Sequence, residues 1–133
     1  MVKNVILDTE HFTLWYYPTP KIVHHQFHSY IYGNEFRSCL NEGTKLMEKY
    51  GAEKWLSDDR RNSALPFEDL EWGLMDWQPR ALAAGWKYWA ILVPERITGQ
   101  MNMKTIAEQA RSVGLVTEMF VDPETALTWL KSL

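Results

Sequence analysis

Only one cysteine, Cys39, occurs in the 133 residues, so no intrachain disulfide can form and packing must hold the fold. No apolar stretch approaches the roughly 20 residues needed to span a bilayer. Cationic runs are equally scarce. The formal net charge is -3 and no Lys/Arg run exceeds Arg60-Arg61, which excludes the basic face that nucleic-acid binding requires. A P-loop, a dinucleotide glycine fingerprint, a cysteine pair and an HExxH motif are also missing, so no cofactor and no metal is expected. Met1-Val2-Lys3-Asn4 lacks the apolar run and cleavage site of a signal peptide, and the cytoplasm is the expected location.

Tryptophan, in contrast, is abundant, at seven residues. With 46% of residues hydrophobic and 23% charged, residues 1–133 suit a single domain with one core. Val5 to Leu7 and Phe12 to Tyr17 flank a polar turn and predict a hairpin, and Ile22 to Phe27 predicts a third strand. Phe36, Leu40, Gly43, Met47 and Tyr50 recur at helical spacing between Asn34 as N-cap and Gly51 as stop. The segment around Trp55 to Asp58 is the fourth strand.

A second helix starts near Pro66, with Phe67, Leu70, Leu74, Trp77 and Ala81 inward and a kink or break at Pro79. Tyr88 to Val93 follows as a central strand. A helix from about Asn102 to Val113, a strand from Val116 to Val121 and a terminal helix opened by Asp122-Pro123-Glu124 complete the chain. This alternation predicts an α/β fold: a mixed sheet, antiparallel at its N-terminal strands and parallel later, flanked by about four helices.

Three signatures carry a family likeness: Trp72…Trp77-Gln78-Pro79-Arg80, Ala84-Gly85-Trp86-Lys87, and the ending Phe120-Val121-Asp122-Pro123-Glu124-Thr125-Ala126-Leu127-Thr128-Trp129-Leu130. From Phe36 onward the chain resembles the SpoIIAA-like group of the STAS superfamily, small bacterial proteins with a mixed sheet flanked by helices. The resemblance implies a regulatory, protein-interaction or ligand-sensing domain rather than an enzyme. Anti-sigma-factor antagonists of that superfamily carry a phosphorylated serine in an Asp-Ser-Ser-Gly turn. Here the corresponding loop is Ser57-Asp58-Asp59-Arg60-Arg61-Asn62-Ser63, and the phosphoswitch does not transfer to Ser63.

Ligands of open α/β sheets gather beyond the carboxyl ends of the strands. That rule selects the Asp58 to Ser63 loop, the Pro94-Glu95-Arg96 turn and the His28-Ser29-Tyr30 exit. Asp58, Asp59, Arg60, Arg61 and Arg96 are the candidate contacts for a small acidic or amphipathic ligand. The alternative is a solvated loop whose charges pair among themselves. His24 and His28, on one strand face about 13 Å apart, cannot share a zinc and are expected on a solvent-facing surface. Ser63, His28 and Asp58 offer a triad only on paper, since no nucleophile elbow accompanies them.

Trp72 falls opposite the apolar stripe of the second helix, between Asp69 and Asp76. An off-stripe indole either meets a partner, a second copy included, or is covered by its own chain. Trp55, Trp89, Trp129, Met101 and Met103 are expected in the core.

Overall fold

A computed structural model describes residues 1–133. Six strands form one sheet in sequence order: β1 (Asn4–Asp8), β2 (Phe12–Tyr17), β3 (Ile22–Phe27), β4 (Lys54–Asp58), β5 (Tyr88–Leu92) and β6 (Val116–Phe120). The first three pair antiparallel and β3 to β6 pair parallel, with Ser57 beside both His25 and Ile91. The expected α/β mixed sheet is present, and the strands around Leu56 and Ile91 lie side by side and run in the same direction.

From β3 to β6 each crossover moves one strand further in the same direction. Right-handed crossovers of that kind place all their helices on one face. Those helical segments are α1 (Gly33–Tyr50), a continuous run of α2 (Phe67–Trp72), a π turn (Gly73–Trp77) and α3 (Gln78–Ala83), and α4 (Ile97–Ser112). A fourth segment, α5 (Pro123–Lys131), packs on β4, β5 and β6 from the opposite face. The sheet thus separates a large core under α1 to α4 from a smaller one, containing Tyr17, Ile22, Leu56, Ala90, Leu92, Ala126 and Leu130, on the α5 side.

Packing on the larger side is set by close approach. A Cβ at Gly43 would stand 2.3 Å from the Trp55 ring, so α1 sits on the indole only because this helix residue has no side chain. Gly99 plays the same part for α4, where a Cβ would lie 2.7 Å from Pro94 Cβ and 3.2 Å from the Ser63 backbone. That glycine is part of the helix, which therefore starts at Ile97, five residues before the expected Asn102.

Pro79 does not break the second helical run, which continues from the π turn into α3; it occupies the first turn of α3. A π turn holds more residues per turn than an α-helix, so Trp77 is swung toward the Asp69 side of the run. The inward face moves with it, and Phe67, expected in the core, is 72% exposed. Met101 is likewise outward, and Trp129 is half-buried against Phe120. Trp55, Trp89 and Met103 are buried.

The start of α1 is capped from a distance. Tyr32 precedes the helix without a side-chain cap, and the Gly33 N–H donates instead to Asp69 Oδ2 at 2.8 Å. Gly51, in the left-handed region at φ 72°, closes the helix as expected.

Candidate functional site

Alternation along β4 sends Trp55 and Ser57 toward the helical layer, and the next odd residue, Asp59, continues that row past the strand end. His25 lies beside Ser57 on β3. The Trp55 Nε1–H donates to His25 Nδ1 at 3.0 Å, and His25 Nε2 lies 2.7 Å from Asp59 Oδ1. An indole nitrogen can only donate. His25 Nδ1 is therefore bare, the proton sits on Nε2, and that N–H donates to the carboxylate. Beside this chain, Trp89 Nε1–H donates to Ser57 Oγ at 2.8 Å.

Above these groups a cavity of about 70 Å³ lies between the sheet and three helical segments. Phe36 and Leu40 of α1, Leu70, Gly73, Leu74 and Trp77 of the second run, and Met103 and Ile106 of α4 enclose it over Trp86 and Trp89. Polar bridges close the seam between the second run and α4 at both ends. Leu65 N–H donates to Asn102 Oδ1 at 3.3 Å, while Gln78 and Gln109 exchange amide hydrogen bonds of 2.8 and 2.9 Å. Between those bridges no side-chain hydrogen bond crosses from Leu70 or Leu74 to Met103 or Ile106.

Four indoles cluster around the floor, edge-on or tilted to one another. Ring centroids lie 5.5 Å apart for Trp55 and Trp77, 5.1 Å for Trp77 and Trp86, and 5.2 Å for Trp86 and Trp89. Each finds an acceptor, with Trp77 donating to Thr44 Oγ1 at 2.8 Å and Trp86 to the Tyr88 carbonyl at 3.3 Å. Such satisfaction is what permits so much indole in a core. Cys39 is fully buried nearby, and burial, with the Asp59 charge added, pushes its thiol pKa well up. It is an inert packing residue.

The charged loop does not gather at one place. Asp58 points to the α5 face, where Arg60 binds it through two hydrogen bonds of 2.9 and 2.7 Å and Gln26 donates at 3.1 Å. Burial pushes the Asp58 pKa up, but these bonds outweigh it and hold the group below the usual carboxylate range. Asp59 points the other way into the cavity, and Arg61 and Arg96 are exposed without a carboxylate partner. Of the five expected ligand contacts only Asp59 lines the cavity.

Trp72 is half-buried within its own chain. It meets Phe36 edge-on at 6.2 Å, with the guanidinium groups of Arg37 and Arg80 at 5.2 and 5.9 Å from its ring. Asp69 is buried and fully engaged by Gly33 and Arg37, while Asp76 pairs with Arg80 on the surface at 3.2 Å. His24, expected at a solvent-facing position, is 5% exposed. Trp15 and Tyr17 of β2 cover it, with the Tyr17 hydroxyl 2.9 Å from Nδ1. Ser63 meets Thr98, His28 meets Thr13 and Asp58 meets Arg60, so the three groups of the paper triad have separate partners. No three of the His, Cys, Asp and Glu side chains lie close enough to share a metal ion.

Sequence reasoning missed His25, Ser57, Gly73 and Ile106. The available signal was the period of two through Trp55, Ser57 and Asp59, which places the second aspartate of the pair with the core face. No helix is long and apolar enough to cross a membrane. No protein-family model, curated protein or solved structure matches the chain.

Proposed function

We propose that this protein is a non-enzymatic ligand-sensing module, of the regulatory kind implied by its resemblance to the SpoIIAA-like group of the STAS superfamily, with the cavity over His25 and Asp59 as its site. The observation that carries this reading is a mostly apolar cavity with Asp59 and Ser57 among its lining residues. Asp59 Oδ2 receives no hydrogen bond from the protein, and the Ser57 hydroxyl, already accepting from Trp89, still has a proton to donate. Apolar walls with a few placed polar groups are the usual composition of small-molecule sites.

The volume is under half of the roughly 150 Å³ that admits a benzene. A ligand therefore places only its terminal few heavy atoms inside, and a longer body leaves through the seam between the second helical run and α4. Two carboxylates and no Lys or Arg line the space, which disfavours an acidic ligand and leaves the amphipathic one. Catalysis has little support. His25 has both nitrogens engaged and cannot take a proton without losing the Trp55 bond.

Gly73 supplies the test. It has helical φ and ψ, and nothing lies within 4 Å of where its Cβ would stand. Gly73→Phe should fold and fill the opening. A thermal-shift screen of short alcohols, amides, amines and acids is expected to raise the melting temperature of the wild type and leave the variant unmoved. A flat wild-type screen removes the reading.

A second reading is self-association, favoured by Phe67, Met75, Ile97 and Met101, each at least 68% exposed on the helical side. Light scattering across concentration, with Met101→Lys as the disruptive variant, decides it. A monomer at every concentration removes this one.

A further inference from the structure

Three carboxylates are buried in this molecule, and two of them have a cation. Asp58 is bound by Arg60 at 2.7 Å and Asp69 by Arg37 at 3.2 Å. Asp59, 7% exposed, has only His25, whose bare Nδ1 facing the Trp55 N–H keeps the ring neutral. Protonating that nitrogen would set N–H against N–H inside the core. A mostly buried carboxylate with a neutral donor on one oxygen and no protein partner on the other is a charge without a counter-ion. Its free oxygen belongs to a residue on the cavity wall.

We propose that the cavity binds a small organic cation, a primary ammonium on a short alkyl stem, with Asp59 as counter-ion. This rests on the reading of the cavity as a ligand site and names what it takes. The ammonium donates to Asp59 Oδ2, replacing the water a small cation must give up with a charge-assisted hydrogen bond. Trp77, Trp86 and Trp89 line the same space, and indole rings attract cations through their quadrupole while accepting the alkyl stem by ordinary burial. The stem leads toward Leu70, Leu74 and Ile106 and the seam they border. Carboxylates and phosphates would meet Asp59 as like charges and are rejected.

The probes are n-butylammonium, n-butanol and propionate, each of five heavy atoms, titrated into the wild type and followed by calorimetry and by the fluorescence of the lining indoles. Butylammonium is expected to bind about tenfold or more tighter than butanol, as a charge-assisted bond exceeds a neutral one, and propionate not at all. Asp59→Asn keeps an acceptor for His25 and removes the charge. In that variant the preference for butylammonium over butanol is expected to vanish, and the ligand-free melting temperature to rise. Equal binding of butanol and butylammonium by the wild type overturns the cation assignment and leaves the cavity reading standing. Failure of all three probes to bind the wild type overturns both. Should Asp59→Asn fold poorly, the wild-type series alone decides.

Discussion

Two adjacent histidines and two adjacent aspartates divide between the faces of one sheet, and the two faces treat them differently. His24 and Asp58 go to the α5 side, His25 and Asp59 to the cavity side. On the α5 side the carboxylate is matched by Arg60 and Gln26, while the imidazole keeps a buried Nε2 with no partner. On the cavity side the imidazole is satisfied at both nitrogens and the carboxylate is left half-free. Unmet polarity thus sits in a histidine on one face and in an acid on the other. The first ties stability to pH; the second is the feature on which the proposed cation site rests.

Acid should break the first face hardest. Burial lowers the His24 pKa from 6.5 to about 3. The unfolded chain then binds a proton near pH 6.5 that the folded chain refuses until about 3, so stability falls as pH falls through that window. The loss is about 1.4 kcal/mol for each pH unit, several kcal/mol in all. Asp58 adds to it lower down, since its depressed folded pKa gives stability that disappears as pH drops below the unfolded value. His24→Gln keeps a partner for the Tyr17 hydroxyl without titrating. Urea unfolding from pH 7 to pH 4 is expected to show a flatter stability profile for the variant, and parallel profiles would show that His24 does not carry the acid sensitivity.

The fold was legible because its signals are local. β-prone runs marked β2 to β5, and helical spacing marked α1, with Gly51 at its end. Three features escaped for one physical reason each. Gly99 reads as a helix breaker, yet it lies inside α4 because only a bare Cα fits between Pro94 and Ser63. The π turn shifts the inward face of the second run, which carries Phe67 outward and Trp72 half-inward, and nothing in the local sequence besides Pro79 announces it. The run Asp58 to Arg61 reads as one cluster along the chain, whereas a strand hands consecutive residues to opposite faces. Of the site itself only Asp59 was in reach, since His25, Gly73 and Ile106 join it through contacts between distant segments.

The smaller effect, and the sharper one, comes from treating the paired aspartates alike. Asp58→Asn removes the charge that Arg60 binds, and because the Arg60 side chain is 32% exposed, water recovers part of its solvation. A loss of about 1–2 kcal/mol is expected. Asp59→Asn leaves the His25 Nε2–H an acceptor and deletes an unmatched charge, so its change should stay within about 1 kcal/mol and favour the folded state. The same chemical edit on neighbouring residues should therefore move stability in opposite directions at neutral pH, measured by chemical denaturation of each variant. Equal losses would mean that Asp59 already has its counter-charge within the fold, and the cavity would then have no call for a cation from outside.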